Sequence, residues 1–355
     1  MKKVAIIGAG MMGTAMAWPL SDNGYEVRLI GTHLDNDIIS SCKDNHFHPR
    51  LSRQLPDNVI PFYNNEISKA LNGIDFIVSG VNSLGVHWIG KTLSPFIKPG
   101  DRIITVTKGI EANKHGNFVI LPDVLKNELP ETMRDQINIA AIGGPCIAGE
   151  LAGRRQSCVV FAAENNDIVD YFKQALQTRY YHIWTTSDIV GLEISAALKN
   201  AYAMGVGLAD GILEKSGGVD QSGSFMFNLA AALFAQGCNE ICKFLKIMGV
   251  TETFPQNLPI AGDLFVTCQK GRSYRLGFLL GKGTPFNQAA EIMQGETLES
   301  ALVVNQMQKI LSSMVRKGVI SNQDFPLMRF LIDLIHFQKP VHLEFDNFFN
   351  EECKI

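Results

Sequence analysis

The stretch Val4–Asn23 constrains this chain more than any other. Four apolar residues, Val4–Ile7, lead into Gly8-Ala9-Gly10-Met11-Met12-Gly13, and a helix-like segment follows to about Asn23. A short β-branched run of this kind predicts a strand buried on both faces. Each glycine then has its own physical reason. Gly8 makes the tight turn, Gly10 lets a pyrophosphate approach the backbone, and Gly13 packs the helix on the strand. Phosphates favour the helix N-terminus, where unpartnered N–H groups and the dipole attract negative charge. The segment therefore predicts a dinucleotide site, with Gly8, Gly10, Met11, Met12 and Gly13 as cofactor-binding residues. Lys2-Lys3, the apolar run and Ala15-Met16-Ala17 imitate a secretory signal, but the glycine spacing accounts for the run better, and strand-like Glu26–Ile30 follows at once.

Beyond this point strand and helix signals alternate. Strands are predicted at Glu26–Ile30, Val59–Tyr63, Ile74–Val78, Arg102–Val106, Ile137–Ile142, Cys158–Ala162 and Tyr181–Trp184, with helices such as Leu84–Leu93, Asn117–Lys126 and Asn166–Gln177 between them. This alternation implies an α/β, Rossmann-type doubly wound sheet, in which ligands bind beyond the carboxyl ends of the strands. Three loops leave strands there: Gly80–Ser83, Thr107–Glu111 and Gly143–Glu150. They bring Ser83, Lys108 and Ala148 to the cofactor side. Strand two ends in Gly31-Thr32-His33-Leu34-Asp35, with neither an acid nor an arginine at its tip, so NAD and NADP both stay open. Residues 41–58, with His46 and His48, are expected to form a surface loop, because an H-x-H pair without a third ligand makes no metal site.

Composition narrows the function. A net charge of −3 gives no electrostatic reason to bind nucleic acid or an anionic membrane. No apolar run reaches the roughly 18 residues of a membrane span. Seven scattered cysteines, at 42, 146, 158, 238, 242, 268 and 353, contain no C-x-x-C pair. They point to a reducing cytoplasm, with no disulfide framework and no bound metal.

From Asp188 the texture changes to helix, with Ser195–Leu213, Phe225–Met248, Gln288–Met293 and Thr297–Arg316 rich in Ala, Leu and Met. A chain of 355 residues is too long for one ordinary core. Two domains are expected: a dinucleotide-binding domain over 1–187 and an all-α substrate domain over 188–355. In Asp188–Asn200, Leu192, Ser195, Ala196 and Lys199 share one helix face among small residues, so the Lys199 ammonium is expected at the domain junction. Ala261–Arg275 is expected as an irregular cationic loop.

Several of these segments together resemble the soluble NAD(P)-dependent glycerol-3-phosphate dehydrogenases. The matches are G-A-G-M-M-G-T-A-M-A at the start, T-K-G-I-E at 107–111, G-P-C-I-A-G-E at 144–150, D-I-V-G-L-E-I-S-A-A-L-K-N at 188–200, G-D-L-F-V-T-C at 262–268 and G-R-S-Y-R-L-G at 271–277. The resemblance implies a dehydrogenase that interconverts sn-glycerol 3-phosphate and dihydroxyacetone phosphate with NAD or NADP. It assigns Lys199 as general acid/base, with Asp263 in proton transfer. Lys108 would touch both substrate and nicotinamide, and Asn200, Thr267 and Arg272 would reach the substrate. Arg272 and Glu299 would also touch the cofactor, which the backbone at Ala148 would border. Together with the Ala-rich helices, the resemblance implies a homodimer.

Some positions depart from the family pattern. Cys146 stands where serine is usual, Asn82 where proline is usual, Ser273 where asparagine is usual and Gln236 where arginine is usual. Cys146 and Ser273 remain candidates for substrate contact. The departures keep open a sibling dehydrogenase for another phosphorylated polyol or hydroxy acid, or a dinucleotide-binding regulatory protein. The chemistry is consistent with the residues themselves: hydride leaves the carbon of a secondary alcohol for nicotinamide, and the protein must supply a base for the oxygen's proton. Burial and Lys108 would make Lys199 a better base, while Asp263 would oppose this and orient it.

Overall fold

The computed structural model describes residues 1–250, 257–343 and 348, so Cys353 lies outside the described residues. The chain divides into two units, one mainly of Met1–Lys108 and Ile120–Glu193, the other of Gly109–Val119 with most of the chain after Ile194. In the first, eight strands form one sheet: β1 (Lys3–Ile7), β2 (Glu26–Ile30), β3 (Val59–Phe62), β4 (Phe76–Ser79), β5 (Arg102–Thr105), β6 (Asn138–Gly143), β7 (Ser157–Ala162) and β8 (Tyr181–Thr186). Their spatial order is β8-β7-β6-β5-β4-β1-β2-β3. The order reverses between β1 and β4, which is the switch point where such sheets bind ligands. All neighbours are parallel except β6 and β7. Strands covered on both faces are largely apolar, and all four residues of β4, Phe76–Ser79, are buried, with Ser79 its one polar member. Phe76 meets Tyr25 and Phe172 edge-on, with ring centroids 5.8 Å and 5.3 Å apart.

The glycine turn opens helix α1 (Met11–Ala15), and α2 (Ala17–Asp22) continues it after a break at Met16. Pro19 is the cause, since it offers no N–H to the carbonyl four residues earlier. Helix α3 (Asn36–Asn45) follows β2 and leads into a two-stranded hairpin that pairs Phe47–His48 with Arg53–Gln54. Here the expected surface loop is corrected: Leu51 and Leu55 turn inward, and His48 is wholly buried with them. The helix expected over Asn117–Lys126 also differs. Phe118–Ile120 is a short strand, and the helix α4 runs over Leu121–Asn127. Aromatic and β-branched side chains favour the extended start, and Pro122 suits a helix's first turn. Further along the same unit lie helices α5 (Ala148–Ala152) and α6 (Asn166–Leu176).

The second unit is helical. Its spine is the part of α7 (Ile189–Lys215) after Glu193, and α8 (Phe227–Ile247), α9 (Asp263–Thr267), α10 (Arg272–Gly281), α11 (Phe286–Ile292), α12 (Glu299–Arg316) and α13 (Pro326–Ile335) follow. The expected irregular loop Ala261–Arg275 is thus mostly two helices. Gly271, extended at φ −64° and ψ 170°, separates them and precedes the first residue of α10. An apolar helix is buried all round, and α7 has no exposed residue from Ile194 to Ala209. It meets α10 backbone to backbone at two glycines: a Cβ on Gly207 would lie 2.2 Å from the Tyr274 carbonyl oxygen, and one on Gly277 1.9 Å from that of Met204. Beside them Glu240 is buried and accepts from Tyr202 Oη, Gln236 Nε2 and the N–H groups of Leu327 and Met328 at 2.7–3.0 Å, capping the start of α13. No helix among the described residues is long and apolar enough to cross a membrane.

Candidate active site

In the first unit, the glycine turn, Gly80–Ser83, Thr107–Lys108 and Gly143–Glu150 all leave carboxyl ends of neighbouring strands. Gly8 has φ +107°, and a Cβ there would lie 2.7 Å from the Gly80 carbonyl carbon. One on Gly13 would lie 2.6 Å from the Gly8 oxygen and 2.9 Å from Gly80 Cα. Turn, helix and the loop after β4 therefore close on one another only because all three residues lack side chains. At Gly10 the nearest atom to an added Cβ is 3.9 Å away, so the outer face of the turn is open to a ligand. This cradle fits a pyrophosphate. Gly80, the third member, was visible in the sequence only as part of an unusual loop.

The neighbouring loops are tied into the same rim. Thr107 Oγ1 donates to the Val81 carbonyl at 2.8 Å, and Lys108 Nζ donates to that of Gly144 at 3.2 Å. Ser83 begins a short 3₁₀ turn, and Asn82 caps it by accepting from the Gly85 N–H at 3.1 Å. Asn82 thus does by hydrogen bonding what a proline would do by a fixed φ. Ala148 is the first residue of α5, which packs against α1 and α2. Cys146 is half-buried against the hydrophobic core of this unit.

Glu193 was missed by sequence reasoning. It is fully buried, and neither carboxylate oxygen has a hydrogen-bond partner of normal geometry. Burial pushes its carboxyl up to about 8, against the pull of Lys108. Such a group keeps its proton in the folded state where the unfolded chain, titrating near 4.5, has lost it. Its effect is to make folding stability fall as pH rises from about 4.5 to about 8. Urea titrations of Glu193→Gln across that window should show a flatter pH dependence than wild type. Identical slopes would mean that this carboxyl is ionised in the folded protein.

In the second unit two of the three expected catalytic residues, Lys199 and Asp263, come together, while Lys108 belongs to the first unit. Lys199 and Asp263 are 6% and 1% exposed and form an ion pair. Lys199 Nζ also donates to Thr267 Oγ1 at 2.8 Å, and the Thr267 hydroxyl donates to the Asp263 carbonyl at 2.7 Å. Because the hydroxyl proton is committed to the helix backbone, Thr267 presents a lone pair to the lysine. A buried ammonium needs such acceptors, and α9 supplies both from one turn. Asn200 is buried beside Lys199 on α7, Arg272 is the exposed first residue of α10, and Ser273 behind it is buried. Glu299 is the first residue of α12, and Arg275 of α10 pairs with Glu296 just before it at 2.9 Å.

Family models described as the N-terminus and C-terminus of NAD-dependent glycerol-3-phosphate dehydrogenase match residues 3–169 and 188–345. The chain belongs to the NAD-dependent glycerol-3-phosphate dehydrogenase family. It is 32% identical over 294 residues to an NADP(+)-dependent glycerol-3-phosphate dehydrogenase of Archaeoglobus fulgidus, spanning 82% of this chain and 83% of that one. It is 31% identical over 287 residues to a glycerol-3-phosphate dehydrogenase [NAD(P)+] of Bacillus velezensis, spanning 80% of this chain and 77% of the relative. The crystal structure of glycerol-3-phosphate dehydrogenase from Coxiella burnetii matches 95% of both chains with a TM-score of 0.77 at 25% identity. Within this dehydrogenase, the departure at Gln236, like that at Asn82, has a structural partner: Gln236 is buried and bonds Glu240, so its neutral amide serves the cap of α13.

Proposed function

We propose that this glycerol-3-phosphate dehydrogenase uses Lys199 as its general acid/base in interconverting sn-glycerol 3-phosphate and dihydroxyacetone phosphate. The observation that carries the assignment is the buried ammonium held by Asp263 and Thr267. The chemistry supplied by a bound NAD(P) is hydride transfer at the carbon, which leaves the oxygen's proton to the protein. In reduction Lys199 donates a proton from Nζ to the oxygen as it gains negative charge, and in oxidation it takes that proton back. Asp263 and Thr267 fix the direction of Nζ. The glycine turn from Gly8 to Gly13, with Met11, Met12, Ser83, Ala148 and Glu299, is assigned to the cofactor, and Lys108 to both nicotinamide and substrate. Asn200, Cys146 and Ser273 are assigned to the substrate. Arg272, a guanidinium at a helix start, suits a phosphate through paired N–H donors and is assigned to both ligands.

The test follows NADH and NADPH oxidation with dihydroxyacetone phosphate and a panel of unphosphorylated ketones. Arg272→Ala should raise KM for dihydroxyacetone phosphate by about 10- to 100-fold, the worth of a charge-assisted bond. At saturating NADH, activity on unphosphorylated ketones should change little. An unchanged KM and kcat would remove the phosphate role. The protein is further proposed to be cytoplasmic, on the support of its scattered cysteines without a C-x-x-C pair, and a homodimer, on the support of the Ala-rich helices and the family resemblance; a monomeric mass by light scattering would reject the dimer.

A further inference from the structure

Ala9 stands between the first two glycines of the turn, after β1 ends at Ile7 and before α1 begins at Met11. Both of its backbone groups bond to side chains from the segment after β2. The Ala9 N–H donates to Asp35 Oδ2 at 3.2 Å, and the Ala9 carbonyl is 2.9 Å from His48 Nε2. The other ring nitrogen of His48 decides the tautomer. Nδ1 lies 3.0 Å from the Leu51 N–H and must accept from it, so the proton is on Nε2 and His48 donates to Ala9. The Asp35 carboxylate also accepts from the Thr32 N–H at 2.9 Å and the Thr32 hydroxyl at 2.8 Å. Ala9 and His48 are 0% exposed and Asp35 8%. Burial holds the His48 imidazole below its ordinary value, which keeps the ring in the neutral form that this geometry needs.

Asp35 is the first acid beyond the tip of β2, the region where an acid usually reads the adenosine ribose. Here the carboxylate is buried, and its Oδ2 takes all three donors, Ala9 N–H, Thr32 N–H and the Thr32 hydroxyl. We propose that Asp35 and His48 are positioning residues that clamp Ala9 from both sides and hold the turn Gly8–Gly13 in its binding shape, so that Asp35 serves NADH and NADPH alike and does not read the ribose. This rests on the dinucleotide reading of the turn. A peptide fixed at its N–H and its carbonyl keeps Gly10 and the first N–H groups of α1 aimed outward before any ligand arrives. Such preorganisation raises affinity without adding a contact.

The test measures Kd for NADH and for NADPH by titration calorimetry, and amide hydrogen exchange of the cofactor-free protein, for wild type, Asp35→Asn, His48→Leu and His48→Gln. Asp35→Asn and His48→Leu should each weaken both cofactors by a similar factor, about tenfold for one lost hydrogen bond. Exchange should accelerate at the amides of residues 9–13 while the β4 and β5 amides keep wild-type protection. His48→Gln, which retains an N–H donor, should recover most of the affinity. If Asp35→Asn weakens NADH but spares or improves NADPH, Asp35 reads the ribose and the proposal is overturned. Unchanged affinities, or exchange that accelerates evenly across the sheet, overturn it equally. A wild type that binds neither cofactor would sink the dinucleotide reading and the clamp together.

Discussion

Replacing Lys199 by methionine should lower kcat by about 10²- to 10⁴-fold, the range that a positioned acid/base contributes, while Kd for NADH stays within a factor of a few. The side chain keeps its length and apolar stem but loses the proton. Stability will also change, because Asp263 is 1% exposed and loses its ionic partner. Leaving one member of a buried pair costs about 3–5 kcal/mol when it stays ionised, and less once it takes up a proton. The double variant Lys199→Met/Asp263→Asn separates the two effects. It should recover much of the stability lost by the single variant and none of the turnover. Stopped-flow measurement at saturating NADH and dihydroxyacetone phosphate reads the chemical step directly. A single variant with near-normal kcat would show that another group carries the proton.

The second large effect is structural. Gly277→Ala should destabilise the protein by about 3 kcal/mol or more, at the upper end of overpacking penalties. Two terms oppose each other here. Alanine favours a helix over glycine by about 1 kcal/mol, but its Cβ would lie 1.9 Å from the Met204 carbonyl oxygen. That oxygen belongs to the backbone of α7 and has no rotamer into which to retreat, so the clash wins and the helices must separate. Gly205→Ala is the internal control. An added Cβ there meets only methyl groups of Leu327 and Leu331, at 3.7 Å and 3.8 Å, so propensity should dominate and stability should hold or rise slightly. Urea midpoints for the two variants test the contrast, and equal midpoints would remove the close crossing. Because α10 begins at Arg272 and α7 carries Lys199, Gly277→Ala should also raise KM for the phosphorylated substrate.

How much could be read in advance depended on how far apart the interacting residues lie. The glycine turn was legible because its strand, glycines and helix are consecutive, and the 3.6 and 2.0 periodicities report burial locally. Lys199 stood out through small neighbours on one helix face and through the motif around it. His48 misled, because a polar stretch with two histidines and a proline looks solvated until Leu51 and Leu55 are seen to turn it inward. The loop Ala261–Arg275 misled for a related reason. Asp263, Thr267 and Arg272 occupy short helices whose stability comes from neighbours outside the window, where isolated segments of that length are marginal.

Order and spacing along the chain were enough for the class of fold, and they mark the glycine turn and the small-residue helix face that carries Lys199, on which the proposed roles rest. Only the tertiary structure decided what holds them. Lys199 and Asp263 are 64 residues apart, and Lys108 reaches a carbonyl 36 residues on. The glycines of α7 find their reason in the backbone of α10, and Ala9 of the opening turn is held by an acid and a histidine from beyond β2. Spacing along a chain fixes which face a residue occupies; which atom it meets there depends on the path of the intervening chain.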